Sequence, residues 1–173
     1  MTTSKDPLLQ SYTLKHLKLK NRVFSACHEP FLTEDSMPKE KYRLYHEEKA
    51  KGGIGMSMIG GSAVVSQDSP GTFGNLDLSD DKVIPWLKEL SGGLHAYDCA
   101  VITQIAHMGR RSNWAQGDWL PLIWSSGQRE MAHRRFPKIA EEEDIIRVIK
   151  DYGQAARRAK EGKLDPVIGR STE

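Results

Sequence analysis

Cysteine is scarce in this sequence. Cys27 and Cys99 stand far apart with no CxxC, which excludes a disulfide framework and makes a reduced, cytoplasmic setting the expectation. Charge of one sign is lacking too. The 25 Lys and Arg against 23 Asp and Glu leave a net charge of +2, so no field favours nucleic acid or an acidic membrane. No apolar run approaches the ~20 residues that cross a bilayer, so no membrane association is expected. The opening residues MTTSKDPLLQ hold no apolar segment of the secretory kind.

Sharper motifs are missing as well. His46-Glu47-Glu48-Lys49-Ala50 has no second histidine for a zinc HExxH site. Gly53-Ile54-Gly55 opens a strand, whereas the dinucleotide fingerprint needs its glycines after one. Gly162-Lys163-Leu164 has neither the first glycine nor the hydroxyl of a phosphate loop, and no GxSxG occurs. No metal set and no catalytic nucleophile can be named.

What remains is one domain of 173 residues with 38% hydrophobic and 28% charged content. Short apolar strands alternate with helices along it. The spacing predicts a first strand over Val23–Cys27, a helix over Glu40–Lys51 stopped at Gly52-Gly53, and a second strand over Ile54–Ile59. A helix follows over Asp81–Tyr97, where Val83, Leu87, Leu90 and Leu94 recur at helical intervals. Ala100–Ala106 is the third strand. After an aperiodic stretch holding Trp114, Trp119 and Trp124, a candidate binding loop, a helix begins at Glu141. Its stripe comprises Ile145, Val148, Ile149, Tyr152, Ala156 and Ala159, and Leu164–Ile168 is the fourth strand. Crossovers this long require parallel strands, hence an α/β fold.

Parallel α/β folds place their sites at the carboxyl ends of the strands. Here those ends read Cys27-His28-Glu29, Gly60-Gly61-Ser62 and Gln104-Ile105-Ala106-His107. Gln104 is an amide inside an apolar strand, and such a group needs partners. A heterocycle edge with adjacent donor and acceptor would satisfy it, and so would neighbouring backbone. Gly60-Gly61 could admit a planar ligand close to the backbone, or simply form a turn. His28, His107 and Arg110-Arg111 read, taken singly, as ordinary polar loop residues.

Taken together, these segments resemble the old yellow enzyme family of NADH:flavin oxidoreductases. The resemblance is carried by Leu17-Lys18-Leu19-Lys20-Asn21-Arg22-Val23, Gly52-Gly53, Gln104-Ile105-Ala106-His107-Met108-Gly109-Arg110 and Lys160-Glu161-Gly162-Lys163-Leu164-Asp165. Cys27-His28-Glu29-Pro30 and Met37-Pro38-Lys39-Glu40 are most similar to its branch of amine dehydrogenases, demethylases and dienoyl-CoA reductases.

The resemblance implies the N-terminal half of a (β/α)8 TIM barrel, ending after about four strands, with residues 7–165 family-like and 166–173 an atypical tail. It implies FMN as cofactor, NAD(P)H as a reductant and a small-molecule substrate. Cys27, His28 and Glu29 would line the flavin, Gly60 or Gly61 would sit by its ring, and Gln104 would bond its pyrimidine edge. Some amine dehydrogenases of the family carry a flavin-linked cysteine at the position of Glu29, so no covalent flavin is expected here. The family's catalytic His/His or His/Asn pair falls just after the fourth strand, where this sequence has Gly169-Arg170-Ser171-Thr172-Glu173. An FMN oxidoreductase that is inactive as this chain alone is therefore the leading expectation. The alternative is a non-catalytic half-barrel that self-associates or pairs with a complementary chain. Glu161–Arg170 also resembles the entry to the first ATPase module of Clp chaperones, but no Walker motif follows it.

Overall fold

The computed structural model describes residues 5–72, 74–112, 123–132, 134, 136–165 and the backbone of 167–171. A hairpin of β1 (Tyr12–Leu14) and β2 (Leu17–Leu19) comes first, an element that the sequence reading does not anticipate. A four-stranded parallel sheet follows, built from β3 (Phe24–Ser25), β4 (Met56–Val64), β5 (Ala100–His107) and β8 (Val167–Ser171). Its spatial order is β3-β4-β5-β8, so successive strands of the sheet lie side by side. The crossovers carry α1 (Glu40–Lys51), α2 (Val83–His95) and α3 (Glu142–Glu161), and β6 (Ile123–Trp124) pairs with β7 (Lys138–Ile139) before α3.

Local chemistry explains the helix boundaries. Pro85 is tolerated in α2 because it lies in the first turn, where its missing N–H has no carbonyl to meet. Asp144 accepts the backbone N–H of Glu141 at 3.1 Å, closing the start of α3, and acidic residues fill that first turn.

The sheet has two different faces. Ile59, Ala63, Val101 and Ile105 meet Leu87, Leu90 and Leu94 of α2 and Ala155 and Ala159 of α3 in the main core. Each fully buried Leu there stabilises the fold by roughly 1.5–3 kcal/mol. The alternate residues line the opposite, inner face. Near its amino end Met56 and Ile102 pack under Leu19 of the hairpin, and near its carboxyl end Val64 packs with Ala106 and Met108. Gln104 occupies the inner position between these two apolar groups, two residues after Ile102 and two before Ala106.

Four expectations need correction. The first strand is only Phe24–Ser25, because Cys27 to Pro30 leave the sheet as a loop. The second strand does not end at Ile59 but runs on to Val64 through a bulge at Gly60–Ser62. The fourth strand is shifted to Val167–Ser171, in register with Thr103–His107, so Gly169 and Arg170 of the tail are strand backbone. Pro166 lies outside the described residues. Finally, the stripe on α3 is only partly covered: Ala159 is buried, Val148, Tyr152 and Ala156 are half-buried, and Ile145 and Ile149 are 52% and 65% exposed, while Ala155, outside the stripe, is buried.

Candidate functional site

The β4 bulge organises the carboxyl end of the sheet. Ile59 pairs with Thr103 and Ala63 with Ile105, so β4 spends two residues more than β5 over the same span. Gly60 and Gly61 take φ of +91° and +53°, conformations that side chains resist. A methyl group on Gly61 would sit 2.9 Å from the backbone of His28 and Glu29, and one on Gly60 would sit 3.0 Å from Thr103 Oγ1. The loop after β3 thus lies directly against the bulge, and β5 flanks it on the other side. Tyr42 of α1 pins the bulge from behind, its buried hydroxyl accepting the N–H of Gly60 at 3.0 Å.

Around this platform three buried polar atoms have no partner among the described residues: Glu29 Oε2, Thr103 Oγ1 and Gln104 Oε1. Such atoms are costly in a finished interior, by about 1–3 kcal/mol each. The Glu29 carboxyl is pushed up to about 7 by burial, opposed by the N–H of Phe31, which Oε1 accepts at 3.3 Å. Its charge also raises the phenol of Tyr42, which burial has already raised.

The six candidate residues do not behave alike. Glu29, Gly60, Gly61 and Gln104 are brought together. Cys27 is half-buried on the same loop. His28 is exposed and turned aside: its Nε2 lies 2.9 Å from the hydroxyl of Tyr45 on α1. Lys49 is held beside that tyrosine, 3.1 Å from Ser25 Oγ and 4.1 Å from the Tyr45 ring centre. His46, on the buried face of α1, contacts Ser57 through Nδ1 at 2.9 Å and is lowered to about 3, chiefly by burial.

A second polar cluster sits where β5 ends. His107 is buried there, not a loop residue, with Nε2 at 3.1 Å from Asp68 and Nδ1 accepting the N–H of Gly109 at 3.1 Å. Asp68 also receives Arg147 of α3 at 2.6 Å, and the Ser66 hydroxyl lies 2.6 Å away. Tyr152 accepts the backbone N–H of His107 at 2.8 Å. Asp68 and Arg147 were missed in the sequence because they stand 79 residues apart in it. Only the fold brings the loop after β4 onto α3. Arg110 of the adjoining pair lies over the Trp124 ring at 5.1 Å. Trp114 and Trp119 of the candidate loop fall outside the described residues. No helix among the described residues is long and apolar enough to cross a membrane.

A parallel sheet with helices on one face, and an unpartnered amide, Gln104, toward the carboxyl end of the other, is the wall of an α/β barrel. Residues 7–168 match the NADH:flavin oxidoreductase / NADH oxidase family, and the chain belongs to that family. It is 50% identical over 162 residues to a probable N-methylproline demethylase of Rhizobium meliloti (strain 1021), covering 94% of this chain and 24% of that protein. It is likewise 50% identical over 166 residues to a multifunctional alkene reductase/demethylase of Caballeronia cordobensis, covering 96% and 25%. In fold it superposes on an old yellow enzyme from a Pichia species with a TM-score of 0.87 at 17% identity, covering 97% of this chain and 46% of that one. The chain therefore spans about a quarter of these curated relatives, and its fold is the N-terminal half of a TIM barrel.

Proposed function

We propose that this chain provides the ring-binding wall of an FMN-dependent oxidoreductase of demethylase or amine-dehydrogenase type, reduced by substrate or by NAD(P)H. The observation that supports this reading best is the orphaned Oε1 of Gln104, placed on the inner face beside the Gly60–Gly61 bulge. A primary amide offers one acceptor and two donors in a plane, which matches the alternating donors and acceptors of a pyrimidine edge. The glycines leave room for a flat ring to rest against backbone, and Glu29 borders that space from the β3 side. Bound flavin would supply the two-electron redox chemistry, with the protein supplying position and electrostatics. None of the residues described here is assigned to catalysis.

The test is size-exclusion chromatography of the chain mixed with FMN, followed by its visible absorption. We expect weak retention by the chain alone and co-elution with a discrete species once further strands complete the sheet. A folded species, so completed, that never retains flavin would overturn the reading.

A second reading is favoured by the open sheet. β3 is an edge of two residues with Phe24 54% exposed, and β8 forms the other edge. Such edges offer unpaired backbone groups to another strand. Under this reading the chain pairs with itself or with a complementary chain. Sedimentation equilibrium yielding a monomer at all concentrations would remove self-association.

A further inference from the structure

We propose that Glu29 holds a proton beside the ring-binding platform and gives it as a hydrogen bond to an acceptor on the flat ligand. Capture of the ring is then linked to proton uptake at this one side chain. The inference rests on the flavin reading above and adds to it the chemical state in which Glu29 meets the ring.

The geometry carries it. Oε1 is already used by the Phe31 N–H, while Oε2 is buried and unpartnered, so one oxygen is left over where the loop crosses Gly61. An ionised carboxylate in that position would seek a cation or a donor. Tyr42 of α1 interacts with it electrostatically; the other titratable groups of this cluster are Cys27 and His28 on its own loop, and Tyr45, His46 and Lys49 farther along α1. Among the described residues at the bulge, β4 and β5 contribute Gly60, Gly61, Ser62, Thr103 and Gln104, none of which titrates near neutrality. The two potential cations of this cluster are engaged elsewhere, His28 with the Tyr45 hydroxyl and Lys49 with Ser25 and the Tyr45 ring. Among the described residues no ion pair forms at Glu29. A carboxyl with no cation, one oxygen spent and one buried is stabler neutral than charged. Its neutral form is a donor, and a donor meets the acceptors on a heterocycle edge that a carboxylate would repel. The burial-raised titration near neutrality agrees with this arrangement.

The proton comes from solvent and no covalent bond changes. Below the titration of Glu29 the side chain is already loaded. Above it, binding takes up one proton and weakens about tenfold for each pH unit.

The experiment uses the whole chain in two arms. In the first, the carboxyl carbon of Glu29 is followed by NMR, assigned by its loss in Glu29→Gln. We expect a midpoint near 7, and a midpoint at the ordinary glutamate value of about 4.3 overturns the proposal while leaving the flavin reading untouched. In the second, riboflavin, which carries no titrating phosphate, is the fluorescence probe between about pH 6 and 9. Wild type should lose affinity with rising pH. Glu29→Gln, which keeps a donor but cannot titrate, should bind with the low-pH affinity throughout, and Glu29→Leu should bind weakly throughout. Flavin binding that is independent of pH in the wild type, or a slope retained by Glu29→Gln, overturns the proposal alone. A neutral Glu29 with no flavin binding at any pH, in the chain and in the species completed by further strands alike, sinks the flavin reading and this inference with it.

Discussion

His107 and Asp68 meet at 3.1 Å in a buried site, with the imidazole donating from Nε2 because its Nδ1 already accepts the N–H of Gly109. The neutral tautomer is thereby fixed by two hydrogen bonds. Burial by itself would raise the Asp68 carboxyl, but the hydrogen bonds from His107, Arg147 and Ser66 prevail and hold it well below the usual carboxylate range. A carboxyl depressed in the folded state contributes stability above its unfolded value, about 3.9, and loses it as the pH falls further. Asp68→Asn should cost about 2–3 kcal/mol in urea denaturation at neutral pH, with a flatter acid limb than wild type. An unchanged acid limb would show that other carboxylates govern acid unfolding.

Glu29 has the opposite sign. Its folded carboxyl is raised to about 7, so the protonated form favours the native state, fully below the unfolded value. That stability is lost as the pH rises toward 7 and does not return above it. Glu29→Gln should be stabler than wild type at pH 8 by about 1–2 kcal/mol, after discount for partial exposure. The two proteins should converge near pH 4. Thermal midpoints across that range decide the matter.

Tyr42→Phe isolates one hydrogen bond. It keeps the ring in the core and leaves the Gly60 N–H without its acceptor. A buried unsatisfied amide costs about 1–3 kcal/mol, and the loss should appear in denaturant midpoint with little change in slope. Hydrogen exchange at Gly60 should quicken locally.

Gly61→Ala tests the close approach. Its φ of +53° and the 2.9 Å distance to the backbone of the β3 loop leave a methyl group no space. We expect about 1–3 kcal/mol of destabilisation and displacement of the loop carrying Glu29. Gly92→Ala is the control, since nothing lies within 4 Å of an added methyl there. It should be neutral or slightly stabilising.

Gln104→Leu separates folding from function. It removes an orphaned acceptor from the inner face, so the chain should be as stable as wild type or stabler by about 1 kcal/mol. Flavin retention should nonetheless fall at least about tenfold, which is 1.4 kcal/mol of lost binding. A large loss of stability would instead identify Gln104 as a structural residue.

The helices and the central strands were legible because apolar spacing is a local property. α1 has the bounds read from the sequence, α2 is two residues shorter at each end, and β5 is one residue longer. Gln104 was legible for the related reason that one amide interrupts an apolar strand. Gly60-Gly61 misled as a strand end, since glycines punctuate turns and bulges alike and only pairing with β5 distinguishes them. The Asp68–His107–Arg147 cluster left no local trace, because its members come from a loop, a strand end and a helix. The exposed half of α3 shows the converse limit. Ile145 and Ile149 have the spacing of a core stripe, yet no neighbour among the described residues covers them.

The β4 bulge adds two residues, and two is an even number. Strand side chains alternate between faces, so the detour leaves Ile59 and Ala63 both toward the helices, and Val64 inward beside Ala106. Length variation at this point is therefore quantised. Removing one residue from Gly60–Ser62 would turn Ala63 and Val64 inside out and unmake the core beyond them. Removing a pair would keep every downstream side chain on its proper face and erase only the platform. A deletion of two codons could thus shed the site while keeping the strand's facing, whereas a deletion of one codon would invert it.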